Sequence, residues 1–359
     1  MPNTNKNLQL IQLLRGIASL LVVLLHCSRN SIETLHKNFF ANFFEFGGAG
    51  VDIFFVLSGF IITYTNLKFI AKTDAFGFFI KRRIVRIYPT YWIIISLFLL
   101  LQVLLPSFYR SHFSFDLKNI LSTYLLFPQH IMVNGVSWTL SYEIFFYLLF
   151  SLSFFIPQKK WSFCLAMLYA AIIILLPIFS SYDFEKGNAW VSLIIFPMNV
   201  EFFMGILAAV IIPKISNKAA LPLIVSGSII FLTSAIFSDL KYNLVANTFN
   251  RVILFGIPSL LIITGLVKYE LSNKIKVYTV FLLLGEASYS LYLIHLPVVA
   301  ASIKILSILK VKNDILIHCI IILIVCIICY ASIVFYKFVE KPIITKLNSL
   351  RRIKVANEI

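Results

Sequence analysis

The sequence predicts an all-α polytopic membrane protein of about ten transmembrane helices, with both termini on the cytoplasmic side. Three observations carry this. Of the 359 residues, 60% are hydrophobic and only 13% are charged. Apolar runs of about 20 residues, the length of helix that crosses a roughly 30 Å hydrocarbon core, recur from the first stretch to the last. The basic residues also alternate in density between successive connections. With spans at 8–28, 46–66, 86–105, 139–156, 161–180, 190–212, 221–238, 249–267, 279–303 and 315–337, Lys and Arg number twenty on the side of the N-terminus and ten on the other, Arg15 being counted on neither. The richer side is the cytoplasmic one.

The first run, LQLIQLLRGIASLLVVLLHCS, is too long for a cleavable leader and lacks a small-residue cleavage site, so it reads as a retained helix. It carries Arg15 and His26, and an ionisable side chain inside a membrane costs about 3 kcal/mol or more. The two are eleven positions apart, a spacing that returns almost to the same helix face about 16 Å further along. One polar stripe therefore joins the ends of this helix. The expectation is that it lines a reaction chamber with His26 as the reacting group.

The second run contains GGAGVDIFFVLSGFIIT, residues 47–63. Its small residues let helix backbones approach closely, and for Gly59 packing alone is expected. Before the third run stands KRRIVR, residues 81–86. A basic cluster at a membrane border serves as a topological anchor, but Arg83 and Arg86 also stand three apart on one face, where two guanidinium forks grip a phosphorylated ligand.

Topology then assigns depths. His26 at the outer end of the first span, Asp52 in the second, Glu143 in the fourth and His295 in the ninth are expected to share the outer half of the membrane, where intramembrane charges face a protein interior or wet cavity and pair with one another. Asp52 is the candidate for fixing the His26 tautomer and raising its basicity, as a general base near neutral pH requires. Glu143 is assigned to positioning an acceptor hydroxyl. Trp138 and His295 are assigned to substrate contact, His295 with a structural role as its alternative.

The formal charge of +16 is distributed as a topology signal rather than as a nucleic-acid surface, and no nucleic acid is expected as a partner. The five cysteines fall in or beside apolar runs, which argues against a disulfide framework or zinc site; no metal is expected, and Cys326 and Cys329 read as packing on one helical turn. Residues 1–345 form one transmembrane domain, and 346–359 a short basic tail attracted to anionic membrane lipid.

Six segments in order, the Arg15 and His26 pair, GVDIFFVLSGF (50–60), RRIVRIYP (82–89), SWTLSYEIFFY (137–147), YSLYLIHLPV (289–298) and FVEKP (338–342), resemble acyltransferase family 3, integral membrane acyltransferases that modify bacterial surface carbohydrates. Glu201 in VEFFMG matches a family position more weakly. LIQLLRG replaces the more usual acidic LDGLRG, and the hydrolase-like domain that some members append is not seen. The resemblance implies a ten-helix core in the inner membrane, an acyl-CoA donor, usually acetyl-CoA, with a longer acyl group left open, and a surface carbohydrate or lipid-linked glycan as acceptor. It carries the family's essential Arg and His to Arg15 and His26, His26 acting as general base or as transient acyl carrier, and its donor-binding pair to Arg83 and Arg86, with Arg82 in the same cluster. Monomer and homodimer both stay open. The rival reading is a transporter of a carbohydrate or lipid-linked intermediate; such carriers show repeated halves and interrupted helices in matching positions, and the sequence shows neither.

Overall fold

The computed structural model describes residues 8–106, 114–179, 182–184, 186–240 and 248–356, and among them it contains no strand. The helices, in chain order, are α1 (Gln9–Leu35), α2 (Ala49–Asn66), α3 (Ala75–Leu104), α4 (Leu117–Leu125), α5 (Trp138–Ser151), α6 (Lys159–Phe179), α7 (Ala189–Ile195) and α8 (Asn199–Ile211). They continue as α9 (Ala220–Leu240), α10 (Thr248–Arg251), α11 (Ile257–Ser272), α12 (Thr279–Glu286), α13 (Ser288–Ile308), α14 (Asp314–Phe335) and α15 (Lys341–Ala356). Nine stretches of the described residues are long and apolar enough to cross a membrane, and Trp138–Phe154 is a shorter apolar helix. Each of the ten runs in the sequence thus has a helical counterpart.

A helix start leaves N–H groups without intrahelical partners, and the chain satisfies them in two ways. At α1 the N–H groups of Gln9 and Leu10 donate to the Glu270 carboxylate of α11, at 2.5 and 2.8 Å. Helices that begin in loops use local caps: Asp116 accepts from Asn119 N, Asn188 from Trp190 N and Asn313 from Leu316 N. Pro89 and Pro297 lie inside α3 and α13. Two π-helical turns, Val252–Gly256 and Tyr336–Glu340, connect α10 to α11 and α14 to α15.

α2 is the axis of the bundle, with Asp52, Val56, Leu57, Phe60 and Ile62 all enclosed, and it packs most extensively on α8. The two meet backbone to backbone at Gly59 and Gly205. A side chain on Gly59 would meet the Phe202 backbone, and one on Gly205 the backbone of Val56 and Phe60. Packing is therefore sufficient to explain Gly59. Around this axis, α6, α9 and α14 present apolar residues outward, among them Leu168, Ile172, Leu232, Ile236, Leu323 and Ile327, as helices facing lipid do.

One connection departs from the expected topology. After α3 the chain turns back along it: the hydroxyls of Tyr88 and Tyr91 donate to the carbonyls of Leu125 and Thr123, and Trp92 Nε1 to that of Tyr124, at 2.9–3.0 Å. Tyr88 lies about 24 Å along the axis from the end of α3 at Leu104. Asn134 Nδ2 then donates to the Leu293 carbonyl, within α13. The segment leading to α5 is thus folded into the bundle, and α5 begins well inside it.

Candidate active site

Every ionisable residue inside an apolar bundle needs a partner or a wet wall, and the structure distributes them over three stations. The first is a cavity of about 150 Å³, lined by residues that include Arg15, Ser58, Arg83, Arg86, Glu143, Tyr147, Tyr289 and Tyr292. Six helices, α1, α2, α3, α5, α8 and α13, converge on it, which is why its residues are scattered over the sequence.

Its three arginines are not equivalent. Arg86 is bound to the fully buried Glu340 at 2.7 Å, and Ser290 Oγ donates to the other oxygen of that carboxylate. The Arg83 guanidinium lies over the rings of Phe79 and Tyr147, at 5.2 and 5.3 Å, and its Nε is buried without a hydrogen-bond partner. Arg15 reaches only Gln12 Oε1, at 3.3 Å. Among the described residues neither Arg15 nor Arg83 forms an ion pair. Glu143 accepts from Tyr147 and, at 3.3 Å, from Ser58. With Arg86 neutralised by Glu340, two cations and one carboxylate remain, so the cavity attracts anions. Arg82, one residue and about 100° of helix rotation from Arg83, is exposed over the Phe78 ring and does not line the cavity.

The second station is a buried ion pair. Arg251 grips Asp52 with Nε at 3.0 and 2.9 Å from the two carboxylate oxygens and a terminal nitrogen at 2.7 Å, and it also donates to the Gly48 carbonyl. Asp52 is fully enclosed and the Arg251 side chain is 14% exposed. The Glu201 carboxyl, also fully buried, faces the turn at Gly256 and stands beside the Asp52 carboxylate, within hydrogen-bonding reach of it.

The third station is His26, half-buried on α1, with its ring centre 5.2 Å from that of His295. His295 is fully buried. Neither histidine lines the cavity, but Tyr292, which does, has its ring 5.9 Å from that of His295. The stripe on α1 therefore runs from a cationic cavity at Arg15 to a pair of imidazoles at His26.

Four sequence-based expectations change. The expected single level of His26, Asp52, Glu143 and His295 divides into three, because α5 starts inside the bundle and carries Glu143 to the level of Arg15. Asp52 does not orient His26: its oxygens are occupied by Arg251, whose bidentate charge-assisted bonds outcompete an imidazole. Arg82 is separated from Arg83 and Arg86 by helix rotation. Trp138 packs edge-on against Phe55, Tyr142 and Phe196 rather than facing the cavity. Two further charged residues, Arg251 and Glu340, complete these stations. Arg251 lies within the apolar run 249–267, and Glu340 stands in FVEKP directly after the last run. The cost of an ionisable side chain inside a span, which singles out Arg15, applies equally to Arg251, whereas Glu340, beyond the end of its run, carries no such signal.

Comparison with known proteins decides the class. Residues 9–336 match the family model described as the acyltransferase domain of acyltransferase family 3. The chain belongs to this family. This acyltransferase is 26% identical over 273 residues to the exopolysaccharide production protein ExoZ of Rhizobium meliloti (strain 1021), an alignment that covers 70% of the chain and 76% of the relative. It is 26% identical over 276 residues to the acyltransferase MdmB of Streptomyces mycarofaciens, covering 70% of the chain and 68% of the relative. With nodulation protein 10 of Rhizobium leguminosarum bv. viciae it shares 26% over 192 residues, 48% of the chain and 51% of the relative. No solved structure matches the chain. The protein is thus a multi-pass membrane acyltransferase.

Proposed function

We propose that the protein is an inner-membrane O-acetyltransferase that moves the acetyl group of cytoplasmic acetyl-CoA to a hydroxyl of a surface carbohydrate, or of its lipid-linked precursor, on the periplasmic side. The observation that carries this reading is the α1 stripe, which begins at a cavity with two unpaired arginines and ends at a half-buried imidazole. The donor's phosphates fit Arg83, whose buried Nε lacks a partner, and the acyl-bearing arm follows Arg15 toward His26. Glu143, Tyr147 and Ser58, bonded together on the cavity wall, hold the arm's course between them. The exopolysaccharide role in the name of one relative supports a carbohydrate acceptor.

In the transfer step one nitrogen of His26 takes the proton of the acceptor hydroxyl as its oxygen bonds to the acyl carbon. The carbon–sulfur bond then breaks, and the departing thiolate receives that proton to leave as a thiol. Loss of the base reduces turnover by about 10²- to 10⁴-fold. His26→Ala is expected to reach the membrane at parental level and to abolish O-acetylation of the surface polysaccharide, read by mass spectrometry of polysaccharide from cells with and without the gene. Full acetylation by His26→Ala removes the reading.

A further inference from the structure

With Asp52 committed to Arg251, another group must set the orientation of His26. His295 stands beside it, its ring centre 5.2 Å away at an interplanar angle of 42°. His295 Nδ1 stands 3.1 Å from the Leu291 carbonyl, one helical turn back. A carbonyl oxygen only accepts, so Nδ1 carries the proton of this neutral ring. Nε2 is then a bare lone pair, and it is buried without a partner in a ring that is itself fully enclosed. A buried acceptor left unmet costs free energy. At this separation two facing ring nitrogens can stand about 3 Å apart, the length of an N–H···N bond. Rotation of the His26 ring about χ2, a broad torsion, brings one of its nitrogens into line.

We propose that His295 is the positioning residue for His26: its Nε2 accepts the N–H of one His26 nitrogen and thereby keeps the other nitrogen bare and aimed at the acceptor hydroxyl. No proton leaves His295. When His26 takes up the hydroxyl proton, the N–H already shared with Nε2 becomes a stronger, charge-assisted donor, and the neutral ring stabilises the imidazolium that forms. The Leu291 carbonyl fixes the His295 tautomer, as a carboxylate or backbone carbonyl does for histidines elsewhere. This rests on His26 being the base, as proposed above.

Two isosteres separate the nitrogens. In His295→Gln the amide oxygen falls near the place of Nε2, whereas in His295→Asn the amide nitrogen falls near the place of Nδ1 and the far acceptor is lost. The expected result, for full-length protein in membranes assayed by polysaccharide O-acetylation, is that His295→Gln keeps at least about a tenth of parental kcat and His295→Asn falls about 100-fold. Both should retain parental membrane levels and acetyl-CoA binding. Equal activity of the two variants overturns the proposal. On the parental protein with ¹⁵N-labelled histidine, solid-state NMR should find His295 neutral with its proton on Nδ1; a proton on Nε2 overturns it whether or not the variants fold. Failure of the underlying reading looks different, since His26→Ala would then stay active.

Discussion

Arg83 and Arg86 are equivalent in the sequence but not in the structure, and removing them one at a time should give opposite phenotypes. Arg86 is paired at 2.7 Å with a carboxylate that is 0% exposed, while its own side chain is 31% exposed. Removing one partner of a fully buried pair costs about 3–5 kcal/mol because the other charge is stranded, and the partial exposure of Arg86 lowers this to about 2–3 kcal/mol. Arg86→Gln should therefore show itself in lower membrane levels and earlier thermal unfolding. Arg83 has no carboxylate partner to strand, so Arg83→Gln should fold like the parent. It should lose a charge-assisted contact to donor phosphate worth about 1.5–3 kcal/mol, which weakens acetyl-CoA binding by about 10- to 150-fold. Equilibrium binding of radiolabelled acetyl-CoA to the purified chain, alongside its unfolding curve, reads both quantities. The double variant Arg86→Gln with Glu340→Gln removes both charges and should recover most of the stability lost in Arg86→Gln alone. Unchanged acetyl-CoA affinity in Arg83→Gln, or an unshifted unfolding curve in Arg86→Gln, refutes this division of roles.

Gly59→Ala drives a methyl group into the Phe202 backbone, so α2 and α8 must part. Overpacking of this kind costs about 1–3 kcal/mol, and an unshifted thermal midpoint would show that the two backbones are not in contact. Arg251→Gln leaves Asp52 enclosed and unpaired, at a cost of about 3–5 kcal/mol; adding Asp52→Asn should restore protein levels, and failure to do so would argue that Asp52 does more than neutralise Arg251.

The fold was legible because the bilayer imposes one solution on a long apolar run: all ten runs became helices, most within a few residues of their expected bounds. The α1 stripe was legible for a related reason, since two ionisable residues in one helix have a fixed angular relation that no neighbour can alter. Partner choice was not. Whether Asp52 meets His26 or Arg251 depends on how α10 and the π turn at Val252–Gly256 sit beside α2, and nothing local to either residue encodes that. Glu143 was misplaced by the inference that a helix after a long connection starts at the membrane border. Residues 117–137 turn back along α3 instead, held by Tyr88, Tyr91 and Trp92, whose hydrogen bonds to backbone carbonyls leave no periodic mark.

That returning segment has a physical corollary. Non-helical backbone survives at membrane depth only where protein or water satisfies its polar groups, and here Asn134 delivers such backbone to Leu293, two residues before His295. Beside the imidazoles the bundle therefore holds peptide dipoles rather than a continuous apolar wall, and the axial distance from Arg15 to His26 is roughly 16 Å. On the function proposed above, a flexible thioester-bearing chain has only that distance to reach, so the acyl group would change compartments while neither the nucleotide nor the sugar has to.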